Sequence, residues 1–315
     1  MPNTFIKATK VVSAGLGALA RDVVLPNLVW TNAGGDFAGA AGDTISIRIP
    51  QYRNAQVRDL RAGTPISGQT GAETKVDVTL EHDVYDFVPI TDEEMELDIA
   101  DFGEQILGPV MAAVVRGIED ELIDVITGAD YALTQDFSKT KPLDSVLGAR
   151  KKLNDCNAPQ GSRVLAVGST IEQYILKDLA GRENGSALTE TALTEATIAL
   201  NYGGFRVVLC NGLSPDEAVA FHRSAFVLST RAPRVPDGAT WGSAQSAGGF
   251  SLRVIKDYDP ANVTDRCIAN CWIGANVVKD AGDLNDDGQF VPSDGNDSGA
   301  PILVRAVKLS IPGGS

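Results

Sequence analysis

Histidine, cysteine and long apolar runs are scarce in this sequence, and each shortage excludes a class of function. Two histidines and four cysteines occur among 315 residues, and the cysteines are too few and too scattered for a disulfide scaffold. No run approaches the roughly 18–20 apolar residues that span a membrane. The opening M-P-N-T-F-I-K lacks the basic and then apolar pattern of a secretory signal. We therefore expect a soluble protein that is made in the cytoplasm and has no membrane partner.

Basic residues are also fewer than acidic ones. Lys and Arg total 27 against 41 Asp and Glu, which gives a net charge of −14. Proteins that wrap nucleic acid depend on clustered cations, because those cations release counterions from the phosphates. An acidic surface instead favours solubility, so we expect contact with DNA only through a few local basic residues.

Catalytic motifs are absent as well. The sequence contains no G-x-S-x-G, H-E-x-x-H or Walker pattern, which are the spacings that several large enzyme classes use. His82 lies in a strand pattern and His222 lies in A-F-H-R, so both are interpreted as packed or partner-bonded side chains. Cys267 and Cys271 have no second Cys or His pair nearby for zinc and would share one face of a strand. We predict that the protein is not an enzyme and requires no cofactor.

One acidic stretch, D-L-N-D-D-G-Q-F-V-P-S-D, matches the pattern of a calcium-binding loop. Oxygen donors occupy loop positions one, three, five, seven and twelve: Asp283, Asn285, Asp287, Gln289 through its backbone carbonyl, and Asp294. Gly288 stands at position six, where such a loop turns sharply. However, the preceding V-V-K-D-A-G is strand-like where a helix would be expected, and Asp at position twelve is shorter than the usual Glu. A calcium site and a surface loop without an ion both stay open.

Two alternating runs predict a hairpin that projects from the body. D-T-I-S-I-R-I-P places Ile45, Ile47 and Ile49 on one face of a strand that ends at Pro50. K-V-D-V-T-L-E-H-D-V places a second apolar set on one face: Val76, Val78, Leu80 and Val84. A two-stranded ribbon is marginal in water, so a neighbour is expected to cover it. Residues 1–42 are predicted to form an extended arm, and its glycines at 34, 35, 39 and 42 lack the strand and helix context of a phosphate-binding loop.

A long amphipathic helix follows. Asp101 and Glu104 form a capping box before it, and apolar residues then recur at three- and four-residue steps: Phe102, Ile106, Val110, Val114, Ile118, Leu122 and Val125. At about 1.5 Å per residue this helix would extend roughly 40 Å. Pro109 lies inside it and is expected to kink its first turns.

From residue 141 onward the pattern is mixed α/β. K-P-L-D-S-V-L-G-A-R-K-K-L predicts a helix, R-V-L-A-V-G a buried strand, and S-T-I-E-Q-Y-I-L-K-D-L a helix capped by Ser169. T-A-L-T-E-A-T-I-A-L predicts a further helix. The runs F-S-L-R-V-I-K-D-Y-D, R-C-I-A-N-C-W-I-G-A-N-V-V and P-I-L-V-R-A-V-K-L-S-I-P predict strands, and the acidic stretch separates the last two.

The order of these elements resembles that of the major capsid (coat) protein of tailed bacteriophages, which has the Hong Kong 97-type fold. The stretches similar to that family are G-D-T-I-S-I-R-I-P, V-Y-D-F-V-P-I-T-D-E-E, N-Y-G-G-F-R-V-V-L-C-N-G-L, A-V-A-F-H-R-S-A-F-V-L-S-T-R-A-P, and F-S-L-R-V-I-K-D-Y-D-P followed by C-W-I-G-A-N-V-V. They cover most of the chain from about residue 40 to 280. Each is moderately specific alone, and their common order carries the resemblance.

The resemblance implies an α+β fold with five parts: an N-terminal arm at 1–40, an extended hairpin loop at 41–80, a peripheral domain with the spine helix at 81–140, an α/β axial domain at 141–250, and C-terminal strands at 251–315. The last part would return to the peripheral domain and carry an acidic insertion at 280–299. It also implies pentamers and hexamers in an icosahedral shell that encloses a double-stranded DNA genome. The expected location is the virion capsid, assembled in the host cytoplasm.

Two departures from the family qualify what the resemblance implies. Many relatives begin with a long charged scaffold region, whereas this chain begins almost at the arm, so a separate scaffolding protein is expected beside a portal and a decoration protein. Lysines are sparse in the extended loop, with Lys75 at its edge, so covalent Lys–Asn cross-linking is not carried over. The alternatives are an encapsulin-like nanocompartment shell and a calcium-dependent binding or hydrolytic protein that uses Asp283–Asp294.

Overall fold

The computed structural model describes residues 24–31, 44–49, 57–58, 61, 74–91, 103–180, 201–247, 250–260, 264–292 and 300–313. The chain divides into two compact units, each built from three stretches. Unit 1 comprises Met1–Ile45, Val78–Thr127 and Phe226–Asn276. Unit 2 comprises Ser46–Asp77, Gly128–Ala225 and Val277–Ser315.

The described residues contain both helices and strands, as the α+β prediction requires. The helices are α1 (Gly108–Thr127), α2 (Pro142–Asp155) and α3 (Ser169–Ala180). The strands are β1 (Thr44–Ile49), β2 (Thr74–Thr79), β3 (His82–Thr91), β4 (Thr134–Asp136), β5 (Arg163–Val167), β6 (Asn201–Tyr202), β7 (Phe205–Leu209), β8 (Glu217–His222), β9 (Phe226–Arg231), β10 (Trp241–Ala247), β11 (Phe250–Asp259), β12 (Thr264–Val277), β13 (Gly282–Leu284), β14 (Phe290–Pro292) and β15 (Ala306–Ser310).

Unit 1 is an antiparallel sheet with a long helix on one face. The strand order is β10-β11-β12-β3, and β9 also pairs with β12. Helix α1 contacts β3 and buries Val110, Val114, Ile118 and Leu122 of the predicted stripe, together with four unpredicted neighbours: Met111, Val115, Ile123 and Ile126. Ile106 and Val125 are only half-buried, so the prediction is wrong at Val125, where Ile126 faces the core instead. Gly117 permits this close packing, since a Cβ there would lie 2.6 Å from Cγ1 of Val84.

The irregularity predicted at Pro109 takes the form of a π-helical turn immediately before α1. This turn spans Gly103–Leu107. Proline lacks an N–H group, and its ring clashes with the carbonyl four residues back, so a regular α-helical turn cannot run through this point unchanged. The predicted cap residue, Asp101, lies outside the described residues.

The predicted hairpin is present, but its second strand is shorter than expected. β1 and β2 form a two-stranded sheet, and Ile45 and Ile49 are buried while the residues between them are more exposed. The prediction that Val76 to Val84 is one continuous run is wrong, because β2 ends at Thr79 and β3 begins at His82. The chain changes partner there, from β1 to β12.

Part of the predicted arm lies against unit 1. Pro26–Leu28 form a single 3₁₀ turn, and Trp30 accepts a backbone hydrogen bond from Leu228 and donates one to Phe226. Leu25 and Val29 are almost fully buried. This segment is therefore stabilised by packing on other elements, as the poor core of the arm predicts.

Unit 2 is built on a mixed six-stranded sheet in the order β4-β15-β8-β5-β7-β6. The central strand β5 is buried at all five residues. Its apolar run Val164–Val167 predicts this, and the guanidinium of the buried Arg163 donates to the carbonyls of Pro159 and Ala158. Helices α2 and α3 begin where the sequence predicts them. The N–H groups of Thr170 and Ile171, in the first turn of α3, donate to the carbonyl of Pro215.

The last strand departs from the expectation that residues 251–315 return to the peripheral domain. β11 and β12 do join the sheet that contains β3. β15 instead lies between β4 and β8 in unit 2 and pairs with both. The alternating pattern of a strand does not specify its partner, so sequence order alone could not assign β15. The predicted domain limits themselves stay a prediction.

Several predictions fall outside the described residues. These are the glycines at 34, 35, 39 and 42, Phe102 of the predicted helical stripe, the helix predicted at T-A-L-T-E-A-T-I-A-L, and Asp294.

Candidate assembly surface

The hairpin presents one apolar and one polar face. Side-chain hydrogen bonds join Thr44 to Thr79 at 2.9 Å and Ser46 to Asp77 at 2.5 Å, so β1 and β2 are antiparallel and these residues share the polar face. Lys75 also pairs with Asp77, at 2.9 Å. The Ser46 hydroxyl, followed by Lys75, lowers the pKa of the Asp77 carboxyl, so this carboxylate is charged at neutral pH.

The described residues between the two strands are exposed. Val57 has 96% of its surface accessible, and Arg58 and Arg61 are also exposed. An exposed apolar side chain in the connection between two strands, followed in sequence by Arg58, is a suitable anchor for another protein surface.

A second exposed feature is an aromatic face on the sheet of unit 1. We define it as Tyr85 and Phe87 of β3 with Trp272 of β12; their exposed fractions are 68%, 44% and 39%. Trp272 is opposite Asp83, and Tyr85 is the next residue of β3 on that face. Val84 points to α1, so the aromatic face lies on the side of the sheet away from that helix.

A polar ladder crosses the sheet beside these aromatics. Asn270 is buried; its Oδ1 accepts a hydrogen bond from Nε of Arg253 at 2.9 Å, and its Nδ2 donates to both carboxylate oxygens of Asp83. Arg253 also donates to the carbonyl of Arg234 at 2.7 Å. Because these groups are satisfied within unit 1, the ladder fixes the strands and leaves the aromatics as the groups that can gain contacts.

The edge of β3 is protected against strand addition. The backbone N–H of Phe87 donates to Oδ1 of Asp86 at 2.9 Å, and Pro89 has the same outward parity but no N–H group to offer. Edge strands with such blocks resist pairing with another chain. A partner would therefore contact this region through side chains on the aromatic face and not by extending the sheet.

The acidic stretch folds as a short hairpin between β13 and β14. Oδ1 of Asn285 accepts hydrogen bonds from the N–H groups of Asp287 and Gln289, at 3.1 and 2.7 Å. The carbonyl of Gln289 accepts the N–H of Asn285 at 2.9 Å, and Gly288 adopts a φ of 74°. The turn alone accounts for Gly288 and for these contacts of Asn285 and Gln289. Asp283 lies in β13.

The calcium prediction stays a prediction. Asp294 is outside the described residues, and within the described part of the chain no cluster of three or more His, Cys, Asp or Glu side chains could hold a metal ion. Carbonyl and amide oxygens also contribute to calcium sites, and Asn285 and Gln289 use theirs in the turn.

Both histidines have protein partners, as predicted. Nδ1 of His82 contacts the Glu121 carboxylate. Nδ1 of His222 accepts from the N–H of Ser224 at 3.2 Å and lies 2.8 Å from its Oγ. Burial, followed by the charges of Arg305 and Arg163, lowers the pKa of His222.

Cys267 and Cys271 lie in β12, are fully buried and form no disulfide. Burial raises their thiol pKa values to about 11 and about 12, so they are unreactive at neutral pH. Their interpretation as core residues is confirmed.

Sequence reasoning missed two features of this structure. One is the aromatic face, which V-Y-D-F-V does not reveal because both faces of that strand carry apolar residues. The second is a network in unit 2, in which Arg305 donates to the Asp280 carboxylate and, at 2.7 Å, to Oγ of Ser224. No local pattern indicates it, because its members are far apart in sequence.

Within the described part of the chain, no helix combines the length and apolar character needed to cross a membrane.

Comparisons with known proteins bear on the fold. No protein-family model matches the chain, and no curated protein sequence matches it. A structure from Mycobacterium phage Che8 is 19% identical, with a TM-score of 0.61 over 91% of each chain. The capsid of cyanophage P-SCSP1u is 11% identical, with a TM-score of 0.58 over 86% of this chain and 84% of that one. A virus-like particle from Pyrococcus furiosus is 11% identical, with a TM-score of 0.54 over 96% and 98%.

These likenesses extend over almost the whole of each compared chain. They establish that the chain has the Hong Kong 97-type capsid fold, and the fold prediction is confirmed.

Proposed function

We propose that this chain is the major capsid protein of a tailed double-stranded DNA bacteriophage. It assembles as pentamers and hexamers into an icosahedral shell that encloses the genome. The observation that carries this proposal is the capsid fold, shared over 91% of both chains with the structure from Mycobacterium phage Che8 and over 86% of this chain with a cyanophage capsid. A fold by itself does not define a function, so the surfaces of this chain must also suit a shell.

The candidate assembly surface supports the proposal. The hairpin has two strands and a fully exposed Val57, and isolated ribbons are marginal without a neighbour. Tyr85, Phe87 and Trp272 form an exposed aromatic group, which is the composition found at the centres of protein interfaces. The apolar face of the two strands is already buried within the chain, so Val57 and the aromatic group are the apolar surfaces whose burial in symmetric contacts between copies would stabilise a closed shell.

The remaining partners follow from this role. The net charge of −14 suits a wall that encloses DNA without sequence-specific binding. A separate scaffolding protein, a portal and a decoration protein complete the assembly, which takes place in the host cytoplasm and ends in the virion. Calcium bound at Asp283–Asp294 would stiffen that hairpin and would take no catalytic part.

Expression of the chain, followed by light scattering and negative-stain electron microscopy, tests the proposal. We expect closed particles for the wild type and a loss of particles for the double variant Tyr85→Ser with Trp272→Ser. Tyr258→Ser is the matched control, because Tyr258 is 42% exposed but is opposite Asp265, on the face of Ile90 and α1. Wild-type protein that stays monomeric with scaffold present, or a double variant that assembles normally, would count against it.

The alternative is an encapsulin-like shell that holds enzymes instead of DNA. The likeness to the virus-like particle from Pyrococcus furiosus, over 96% of this chain and 98% of that one, is a likeness of fold and does not favour this alternative over the phage capsid. Nuclease-protected DNA inside particles from the native source, with terminase and portal genes beside this one, would favour the phage capsid. Particles that hold an enzyme and no DNA would favour the alternative.

A further inference from the structure

The chain changes sheets at a short segment that we call the hairpin root, Thr79–His82. β2 ends at Thr79 after pairing with β1, and β3 begins at His82 and pairs with β12. The alternation from Val76 to Val84 would allow one unbroken strand. Some contact must therefore impose the break at Leu80 and Glu81.

Gly274 of β12 lies directly against this root. A Cβ added to Gly274 would be 2.1 Å from the carbonyl oxygen of Thr79, 2.8 Å from its carbonyl carbon and 3.3 Å from the backbone nitrogen of Leu80. All three atoms belong to the backbone, so no side-chain rotation can make room. Glycine inside a strand commonly marks such a close approach.

Three further contacts hold the root in place. The N–H of Glu81 donates to the carbonyl of Ile273 at 3.1 Å, and Oγ1 of Thr79 bonds Oγ1 of Thr44 at 2.9 Å. His82 pairs with Glu121 of α1. The root is thus held by β12, by β1 and by the helix, which are separate elements.

We propose that Gly274 is a positioning residue for the hairpin: together with the His82–Glu121 pair it holds the root at one place, and so sets the course on which the hairpin reaches a neighbouring copy. Any larger residue at position 274 would push Thr79 and Leu80 away from β12, and the displacement would be carried along β2. The role in contacts between copies rests on the proposed capsid function, whereas the fixed root does not.

Hydrogen exchange on unassembled subunits, read from the peptide that contains residues 79–84, tests the root directly. Gly274→Ala and His82→Ala are each expected to raise exchange of the Glu81 amide by roughly fivefold, the size expected when support worth about one hydrogen bond is lost. Particle yield and diameter, from electron microscopy of the same variants, test the consequence for assembly. We expect fewer particles or a broader range of diameters, with little change in the thermal midpoint of the His82→Ala subunit, since His82 is 56% exposed.

Matched controls separate this role from general destabilisation. Gly238→Ala also adds a methyl group in unit 1, but no atom lies within 4 Å of the added Cβ, so exchange and particles should not change. His82→Asn places an amide near the position of Nδ1 and should restore most of the protection. If Gly274→Ala does not fold, His82→Ala and His82→Asn still decide the question.

Each outcome has one meaning. Unchanged exchange in both root variants overturns the fixed root. If the root variants show raised exchange but form normal particles, the root does not control the contacts that the hairpin makes between copies. Wild-type protein that forms no particles overturns the capsid function, while the exchange measurement still decides whether Gly274 and His82 fix the root.

Discussion

Gly117 lies where α1 packs on β3, and two opposing effects meet at this residue. Alanine is favoured over glycine in a helix by roughly 0.5–1 kcal/mol, but a Cβ at 117 would lie 2.6 Å from Cγ1 of Val84. At Gly108, apart from the adjacent Pro109, the nearest atom to a Cβ is the Gly103 carbonyl oxygen at 3.6 Å, an ordinary contact; the proline ring disfavours a Cβ in the preceding residue, so Gly108→Ala sets an upper limit on the cost without a tertiary clash. We expect the clash to outweigh the helix preference at 117 only.

Urea denaturation of two variants in the same helix measures this balance. Gly117→Ala should be less stable than Gly108→Ala by about 1–2 kcal/mol, the usual cost of overpacking a tight contact. Equal stabilities would mean that Val84 moves aside at no cost and that the spacing of α1 and β3 does not depend on Gly117.

His222 makes the stability of unit 2 depend on pH. The Ser224 N–H donates to Nδ1, and Oγ of Ser224 accepts from Arg305, so the hydroxyl proton is available to Nδ1 and the ring is neutral. Arg163 and Arg305 are the charged groups that face the ring. If Nδ1 took up a proton, the ring could no longer accept these two hydrogen bonds, and its new positive charge would lie near the two arginines. Both effects add to burial in lowering the pKa of His222.

The direction of this effect can be stated. The pKa of His222 in the folded protein is below the ordinary 6.5, so the unfolded chain takes up the proton first as pH falls. The contribution of neutral His222 to stability is therefore fully present above about pH 6.5, and it is lost as the pH falls toward the pKa of His222 in the folded protein. His222→Asn keeps an acceptor without titrating, so its free energy of unfolding should fall less between about pH 7.5 and pH 5. Parallel curves for both proteins would contradict this assignment.

At the scale of elements, the sequence predicted those helices and strands that are determined by the burial of their own apolar residues. The apolar stripe of α1 and the alternation of β1 were predicted from period alone, because burial of one face determines both. The unbroken apolar run of β5 likewise indicated a strand buried on both faces. For these elements the sequence carries the whole signal.

The features that the sequence did not predict depend on contacts between distant residues. The break at Leu80 and Glu81 follows from Gly274, almost 200 positions further along the chain. The pairing of β15 with β8 depends on which strands of the folded chain lie beside it, and the local pattern of β15 does not contain that information. The aromatic face required knowledge that α1 packs on the side of Val84 and so leaves the side of Tyr85 and Phe87 exposed.

The acidic hairpin gives the calcium hypothesis a direct test. Calcium that binds the folded state raises the thermal midpoint, by the equivalent of about 2.7 kcal/mol at a hundredfold excess over the dissociation constant. We expect such a rise for the wild type and none for the double variant Asp283→Asn with Asp287→Asn. Asn285→Ala is expected to lower stability with or without calcium, because Oδ1 of Asn285 accepts two N–H groups. If the wild type has the same thermal midpoint with and without calcium, the calcium hypothesis is wrong, and the turn alone accounts for the sequence of this hairpin.

For the whole molecule, the two exposed features would have different roles in the proposed shell. The aromatic face presents three exposed rings on strands that the Asp83–Asn270–Arg253 ladder joins. The region between β1 and β2 carries Arg58 and Arg61 on a chain with a net charge of −14. In the proposed shell, acidic residues of a neighbouring copy would attract these cations, although Asp59 between them offsets part of their charge. Electrostatic attraction would then guide the hairpin, while apolar contact would hold the sheet.

This division predicts how Arg61→Glu behaves. Arg61 is exposed, so reversing its charge should change the free energy of unfolding of the subunit by no more than about 0.5 kcal/mol. Assembly should suffer far more, because the same change recurs at every contact between copies and adds repulsion on an acidic surface. At 0.1 M salt the screening length is about 10 Å, so higher ionic strength should weaken the repulsion and partly restore particle yield in the variant.

Lys151→Glu is the control, because that lysine is an exposed residue of unit 2 whose partner among the described residues is Asp155 of the same helix. Normal particle yield for Arg61→Glu at low salt would show that the hairpin does not contact a neighbouring subunit through this charge.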